Sequence, residues 1–346
     1  MAKSLKVAII GCGRISGHHC RSIVETKGIE LAAVCDLLIE KANNYSEQFG
    51  AKAYDNYHQM LQENPQIDTV AVITPSGMHY EHALDIISRY QKHIIVEKPT
   101  FLKPSHVSEV YKAASEEGVQ VFAVFQNRHN LAVKRVEQGL TSGELGQIRC
   151  VSVRVRWCRP QQYYDMAPWR GTYSMDGGCL TNQGIHHIDL LRRLGGEVRR
   201  VCCLHKTLGA NIEVEDTGII NVKWRNGALG SMCVTMLTYP KNLEGSITIL
   251  GEKGTVRIGG VAVNDIQHWE FDKPKDYDKT VKEVSYQTTS VYGFGHPLYY
   301  NNVIEVLRGN AEPETDGREG LRSLEVLIAA YLSARDGKTI SLPLEY

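Results

Sequence analysis

The sequence predicts an α/β protein of two domains. Residues 1–125 are expected to form a doubly wound parallel sheet, and residues 126–346 an α+β domain with a large, mainly antiparallel open sheet. Three observations predict this. A chain of 346 residues is long for one core and suits two. The first 125 residues alternate short, near-continuous apolar runs with helix-length segments, as a parallel sheet covered on both faces requires. After about residue 145 the runs lengthen and alternate apolar with polar residues, as strands with one solvated face do.

In chain order, LKVAIIG, ELAAVCD, DTVAVITP, KHIIVEKP and VQVFAVF are the expected parallel strands. QIRCVSVRVRW, GIINVKW, GALGSMCVTML, GSITILG and GTVRIGG follow, punctuated by N-G, G-E-K-G and G-G turns. Helical patterns occupy 181–194, ended by Gly195 and Gly196, and 316–336, ended by Gly337. There is no internal repeat or low-complexity tract.

The apolar fraction of 42% is enough for both cores. Thirty-nine basic and thirty-nine acidic residues cancel, so no overall field draws the chain to nucleic acid or to an anionic membrane, and a small-molecule partner is expected. Nine cysteines without C-x-x-C spacing suggest neither a disulfide framework nor a zinc ribbon. The four-residue apolar run before Gly11 is too short for a signal h-region or a span, so a cytoplasmic protein is expected.

VAIIGCGRIS places Gly11 and Gly13 after a strand and at the start of a helix, where G-x-G cradles a dinucleotide. Gly11 permits the tight turn, and Gly13 lets a pyrophosphate approach the backbone beside Arg14 and Ile15. Ser16 stands where the pattern has its third Gly. Asp36, 25 residues after Gly11 at a strand end, can accept ribose hydroxyls and would repel a 2′-phosphate, which favours NAD over NADP. A solvated loop carboxylate is the plainer reading.

VEKPT puts Glu97 and Lys98 at another strand end, the edge where open α/β sheets bind ligands, with Pro99 keeping Lys98 extended. TPSGMH adds Thr74, Pro75, Ser76 and His79 in the same way, and Gln126 directly follows VQVFAVF. An ion pair and turns that merely finish strands are the alternative.

These motifs, with the W-R of APWRG and the G-G-x-x-x-N-x-G-x-H-x-x-D of GGCLTNQGIHHID, resemble the glucose-fructose oxidoreductase and inositol dehydrogenase family. The second half, through VEDTG, WRNGALGSMCVTMLTYPKNLEGSITILGEKGTVRIGGVAVN, TTSVYGFGHPLYY and ETDGREGL, is similar to the branch acting on a UDP-linked N-acetylglucosaminuronate. The resemblance implies a Rossmann domain binding NAD and oxidation of the 3-hydroxyl of UDP-N-acetyl-2-amino-2-deoxyglucuronate to a 3-keto sugar for cell-surface polysaccharide. It also implies a homotetramer formed through the second sheet, without a stable hetero-partner. It places Trp169 and Arg170 against the cofactor. The wider family has Asp at Asn182 and Gly at Cys179. The alternatives are a 3-dehydrogenase of neutral UDP-N-acetylglucosamine, a free-sugar or inositol dehydrogenase, and a non-catalytic NAD-binding protein.

Alcohol oxidation requires a base for the hydroxyl proton while hydride leaves carbon. On a helix, Asn182, His186 and Asp189 share one stripe, whereas His187 points about 100° away from His186 and reads as a core histidine. His186, with an ordinary pKa near 6.5, suits the base. Lys98 is expected to orient and polarise the hydroxyl, its pKa lowered by partial burial and by the nicotinamide charge. Asn182 offers a hydrogen bond without charge, or caps the helix. Adjacent histidines diverge and no third ligand stands out, so no metal is expected. For the substrate's diphosphate and carboxylate, Arg159, Tyr163 and Tyr164 are the loop candidates. Arg154 and Arg156 alternate on one strand face and read equally as an outer polar face. Lys241 and Asn242, beside a turn at Pro240, and His296 and Tyr299 in GFGHPLYY complete the expected sugar contacts.

Overall fold

The computed structural model describes residues 4–345. The chain divides into two compact units, Met1–Val124 with His296–Leu321, and Phe125–Gly295 with Arg322–Tyr346.

The first unit runs β1 (Leu5–Ile10), α1 (Ser16–Glu25), β2 (Ile29–Cys35), α2 (Ile39–Phe49), β3 (Lys52–Tyr54), α3 (Tyr57–Glu63), β4 (Thr69–Val72), α4 (His79–Tyr90), β5 (His93–Val96), α5 (Pro104–Glu116) and β6 (Val121–Ala123). The sheet order is β3-β2-β1-β4-β5-β6, with every pairing parallel. The apolar runs became its strands because both faces are covered: Ala8, Ile9, Val70, Ala71, Ile94 and Ile95 are all fully buried. Order reverses at β1/β4, the switch point beside which open sheets bind ligands. The sequence reading missed β3, whose three residues KAY carry no apolar run.

The second unit contains α6 (Leu131–Thr141), β7 (Ile148–Arg156), α7 (Gln161–Asp165), α8 (Ile185–Gly195), β8 (Val198–Lys206), β9 (Thr217–Trp224), β10 (Leu229–Thr235), β11 (Glu244–Gly251), β12 (Gly254–Gly259) and β13 (Asp265–Phe271). Next in the chain come α9 (Gly295–Leu307), α10 (Gly317–Asp336) and β14 (Ile340–Ser341). The eight-stranded order is β13-β12-β11-β7-β10-β9-β8-β14, antiparallel except for the β7–β10 pair. β8 escaped the sequence reading because a register shift between Val198 and Arg200 leaves two successive arginines outward and breaks the alternation.

Residues 296–321 pack with the first unit. Tyr299, Tyr300, Val303 and Ile304 join Val7, Ile9 and Ile23 in its core, which draws this segment back to the parallel sheet. In the second unit, Gly195 does more than end a helix. A Cβ there would stand 2.4 Å from the fully buried Trp224 ring, so the glycine lets α8 lie against β9.

Candidate active site

In the first unit the candidate residues sit where strands end. Gly11 has φ of +95°, and a Cβ on it would meet the Ile73 carbonyl at 2.5 Å, so only glycine fits this turn. At Gly13 a Cβ would meet nothing within 4 Å, leaving the N-terminus of α1 open for a phosphate to approach. Arg14 is exposed and Ile15 half-buried on the same turn. Ser16 is buried and its hydroxyl donates to the Gly11 carbonyl at 2.5 Å, so the non-glycine third position clips the turn shut. Asp36 accepts from the backbone N–H of Cys12 at 2.8 Å and of Leu38 at 3.0 Å, which fixes a carboxylate against the G-x-G turn at the end of β2. This open cradle, closed turn and strand-end carboxylate fit a dinucleotide.

Two further strand ends are tied together by one ring. His79 Nε2 lies 2.8 Å from the Thr74 carbonyl and its Nδ1 2.9 Å from the Pro99 carbonyl. Burial pushes its pKa down. Thr74, Pro75 and Ser76 remain half-buried at this edge. Glu97 is buried and holds two partners: its Oε1 lies 2.9 Å from His19 Nε2, and its Oε2 accepts from the Lys98 backbone N–H at 2.8 Å. Burial opposes the charge, but the His19 hydrogen bond and the nearby Lys98 hold the carboxyl at about 2. Glu97 is therefore a fixed anion under half-buried Lys98 rather than a base working near neutrality.

Tyr300 extends this chain, its hydroxyl 2.7 Å from His19 Nδ1. His296 lies edge-on to His19, with ring centroids 5.0 Å apart. Ligand atoms of His19, Glu97 and His296 all lie within 4.8 Å of one another, a grouping of three positions that lie far apart in the sequence. Both ring nitrogens of His19 are engaged by Tyr300 and Glu97, so hydrogen bonds account for its position. Tyr299 is a core side chain of this unit and His296 is likewise interior, while Phe294 and Leu298 of the same GFGHPLYY segment are exposed.

In the second unit the candidates depend on a stapled turn. Buried Glu215 accepts at Oε1 from the Leu180 N–H and from the Tyr331 hydroxyl, each at 2.9 Å, while its carbonyl accepts from Cys179 N–H at 2.8 Å. Burial pushes its pKa up. A Cβ on Gly178 would fall 1.9 Å from Glu215 Oε2, so the turn closes on this carboxyl only because position 178 is glycine. Next to it, fully buried Asp216 accepts from the backbone N–H groups of Leu208, Gly209 and Ala210. VEDTG thus supplies two buried anchors.

The helix expected from residue 181 begins at Ile185, with Gly184 at its N-cap and no side-chain cap. Asn182 is therefore not a cap and does not share a helical stripe with His186. It lies on the turn, its Nδ2 donating to Asp176 Oδ1. Gly184 explains the late start: its N–H reaches back to the Cys179 carbonyl at 2.7 Å, prolonging the turn. Asp189 is not free to face a ligand either. Arg128 forks onto it at 2.7 and 2.5 Å, Ser323 donates at 2.7 Å, and Asp189 and Arg128 are both 1% exposed. Burial is outweighed by Arg128, which keeps Asp189 ionised. His186, 7% exposed, lies edge-on to Phe125 with centroids 6.0 Å apart. His187 is a core residue as expected: fully buried, edge-on to Trp157, and pushed down to about 4 by burial.

Tyr163 lies between two cations, with Arg159 5.3 Å and Arg170 4.5 Å from its ring centroid and Arg170 donating to its hydroxyl at 2.8 Å. Arg170 also packs on the half-buried Trp169. Neither Arg159 nor Arg170 has a carboxylate partner among the described residues, and the Nε of each is buried without a hydrogen bond. Asn242 supports Arg159 at 3.2 Å and accepts from Cys158 N–H at 2.9 Å, while Lys241 is exposed. Tyr164 is buried beside Tyr163, and Gln126 is buried after β6. Among the described residues no helix is long and apolar enough to cross a membrane.

Residues 5–125 match a family model described as the NAD-binding Rossmann fold of an oxidoreductase family, and residues 138–342 match the model of that family's C-terminal alpha/beta domain. The WlbA dehydrogenase of Chromobacterium violaceum, solved with NADH and UDP-GlcNAcA, is 48% identical, with a TM-score of 0.92 over 100% of this chain and 98% of its own. The WlbA dehydrogenase of Bordetella pertussis, solved with the same two ligands, is 47% identical, with a TM-score of 0.94 over 100% and 99%. The D-glucoside 3-dehydrogenase of Escherichia coli is 30% identical over 54% of this chain and 52% of its own.

Proposed function

The chain belongs to the GFO/IDH/MocA oxidoreductase family and binds NAD, and from that premise we propose that it oxidises the 3-hydroxyl of UDP-GlcNAcA, the UDP-linked N-acetylglucosaminuronate, to the 3-keto sugar. The observation that carries this reading is full-length identity of 47–48% to two dehydrogenases solved with NADH and that sugar nucleotide. When bound, NAD supplies the hydride acceptor. The chain's own residues bind, orient and take the proton. The Gly11–Gly13 turn and Asp36 hold the pyrophosphate and ribose. Lys98, backed by the anion of Glu97, polarises the hydroxyl, and His186 removes its proton. Asn182 gives this site a polar amide.

Arg159 and Arg170 support the uronate in particular. Two guanidinium groups without a carboxylate partner among the described residues are suited to the diphosphate and the sugar carboxylate. The proposed assembly is a homotetramer. On the eight-stranded sheet, Leu204, Ile219, Leu229 and Leu250 are exposed and share one face by register. A solution mass equal to one chain would contradict it.

The test offers purified protein and NAD either UDP-GlcNAcA or neutral UDP-GlcNAc while NADH absorbance is followed. Turnover of the uronate is expected, with KM raised in Arg159→Ala or Arg170→Ala. Turnover of the neutral sugar alone would replace the substrate, and turnover of neither would favour a non-catalytic NAD-binding protein.

A further inference from the structure

Asn182 does not choose its own orientation. Its turn is held from several sides: Asn182 N–H donates to the Gly178 carbonyl at 2.8 Å, Gly177 N–H to the Thr172 carbonyl at 2.9 Å, and Cys179 and Leu180 are fixed by Glu215. Inside it lies Asp176, 1% exposed. One carboxylate oxygen of Asp176, Oδ2, accepts from the N–H of Gly171, the peptide that follows Arg170, at 2.8 Å. The other, Oδ1, faces the Asn182 amide. The Asn182 nitrogen is the atom that donates to it, so the Asn182 carbonyl oxygen points the other way.

From this geometry we infer that Asp176 is a positioning residue for the oxidation. It fixes Asn182 so that its side chain presents an acceptor, and through Gly171 it anchors the segment carrying Arg170. The inference rests on the proposed role of Asn182 in the site. A carboxylate bonded to an amide N–H also makes the amide oxygen a stronger acceptor. The site therefore receives an oxygen acceptor from position 182, while the carboxyl behind it stays buried at 176.

The pair can be inverted by mutation. In Asp176→Asn, residue 176 still accepts from Gly171 but turns an NH2 toward Asn182, which must flip and present a donor. In Asn182→Asp, two carboxylates face each other. In the double variant the amide at 176 donates to a carboxylate at 182, whose second oxygen is again an acceptor. Each single variant is expected to lower kcat by about tenfold or more while leaving NADH affinity unchanged, and the double to recover most of it. The Tm should fall most in Asn182→Asp and return in the double. A double variant no better than the worse single, in kcat and in Tm, would overturn the inference. A wild type inactive on both UDP sugars would instead defeat the proposed function. The Tm cycle would then decide the pair: return in the double upholds it, and additivity of the two singles refutes it.

Discussion

The strand-end loops of the first unit and the stapled turn of the second solve the same problem differently. In the first, candidate side chains stand at the carboxyl edge of a parallel sheet, and topology alone puts Gly11, Asp36, Thr74 and Lys98 there. Most of their supports are close in sequence or on the next strand end: Ser16 clips Gly11, and His79 joins the Thr74 and Pro99 carbonyls, while Glu97, held by His19 and through it by Tyr300, is the exception. In the second, no sheet edge does this. Residues 176–186 are placed by buried carboxylates and their partners from far along the chain, Glu215 with Tyr331, and Asp189 with Arg128 and Ser323. A site on a sheet edge inherits its geometry from backbone pairing. A site on a turn depends on individual buried polar contacts, so single substitutions should damage it more.

The largest expected effects are on chemistry and treat both regions alike. Lys98→Met and His186→Asn should each lower kcat by about 10² or more. Near-normal turnover in His186→Asn, measured at saturating substrate and NAD, would move the base to Lys98 and leave the second unit with binding only. The next effect separates the regions. Arg128→Met would remove the main counter-charge of buried Asp189, leaving it the Ser323 hydroxyl and Arg192 at 3.8 Å, at a cost of about 3 kcal/mol, read as denaturant-midpoint loss. Asp36→Asn, whose partners are backbone donors at a half-buried strand end, should lose about 1 kcal/mol but weaken NAD binding. Equal losses would erase the contrast.

A smaller difference tests the two glycine turns. Gly178→Ala drives a Cβ into the Glu215 carboxyl and should lower stability by about 1–3 kcal/mol together with turnover. Gly13→Ala meets no protein atom and should leave stability unchanged while weakening NAD, as isothermal titration would report. The last, absent at neutral pH, concerns acid. His187 titrates at about 4 when folded, against an ordinary value near 6.5, so the unfolded chain binds the proton first. The imidazole therefore costs nothing above about pH 6.5 and destabilises progressively as pH falls toward 4, by about 3 kcal/mol at the limit. His187→Gln should flatten the pH–stability curve in that window. An unchanged slope would show that His187 is not buried neutral.

The same contrast explains what could be read from the sequence. Five of six parallel strands were visible because burial on both faces writes continuous apolar runs, and G-x-G, VEKPT and TPSGMH mark their ends. β3 was too short to register, and β8 was hidden by its bulge. In the second unit His187 was legible as core from helical phase, but the start of α8 was not, since the Gly184 N–H extends the turn through a backbone bond that side-chain patterns do not encode. Asp176, Arg128, Glu215 and His19 were missed because each acts on a partner distant in sequence or through the backbone. Only the polar run NRHN after an apolar strand, and the adjacent acids of VEDTG, hinted at buried charge.

The most direct test uses UDP-GlcNAcA deuterated at C3 with NAD and the wild-type protein, followed by mass analysis of the sugar and of the nicotinamide. Transfer of deuterium to the nicotinamide, with formation of the 3-keto sugar, is the predicted result. NADH formed without deuterium, or no transfer from this sugar at all, would contradict oxidation at C3.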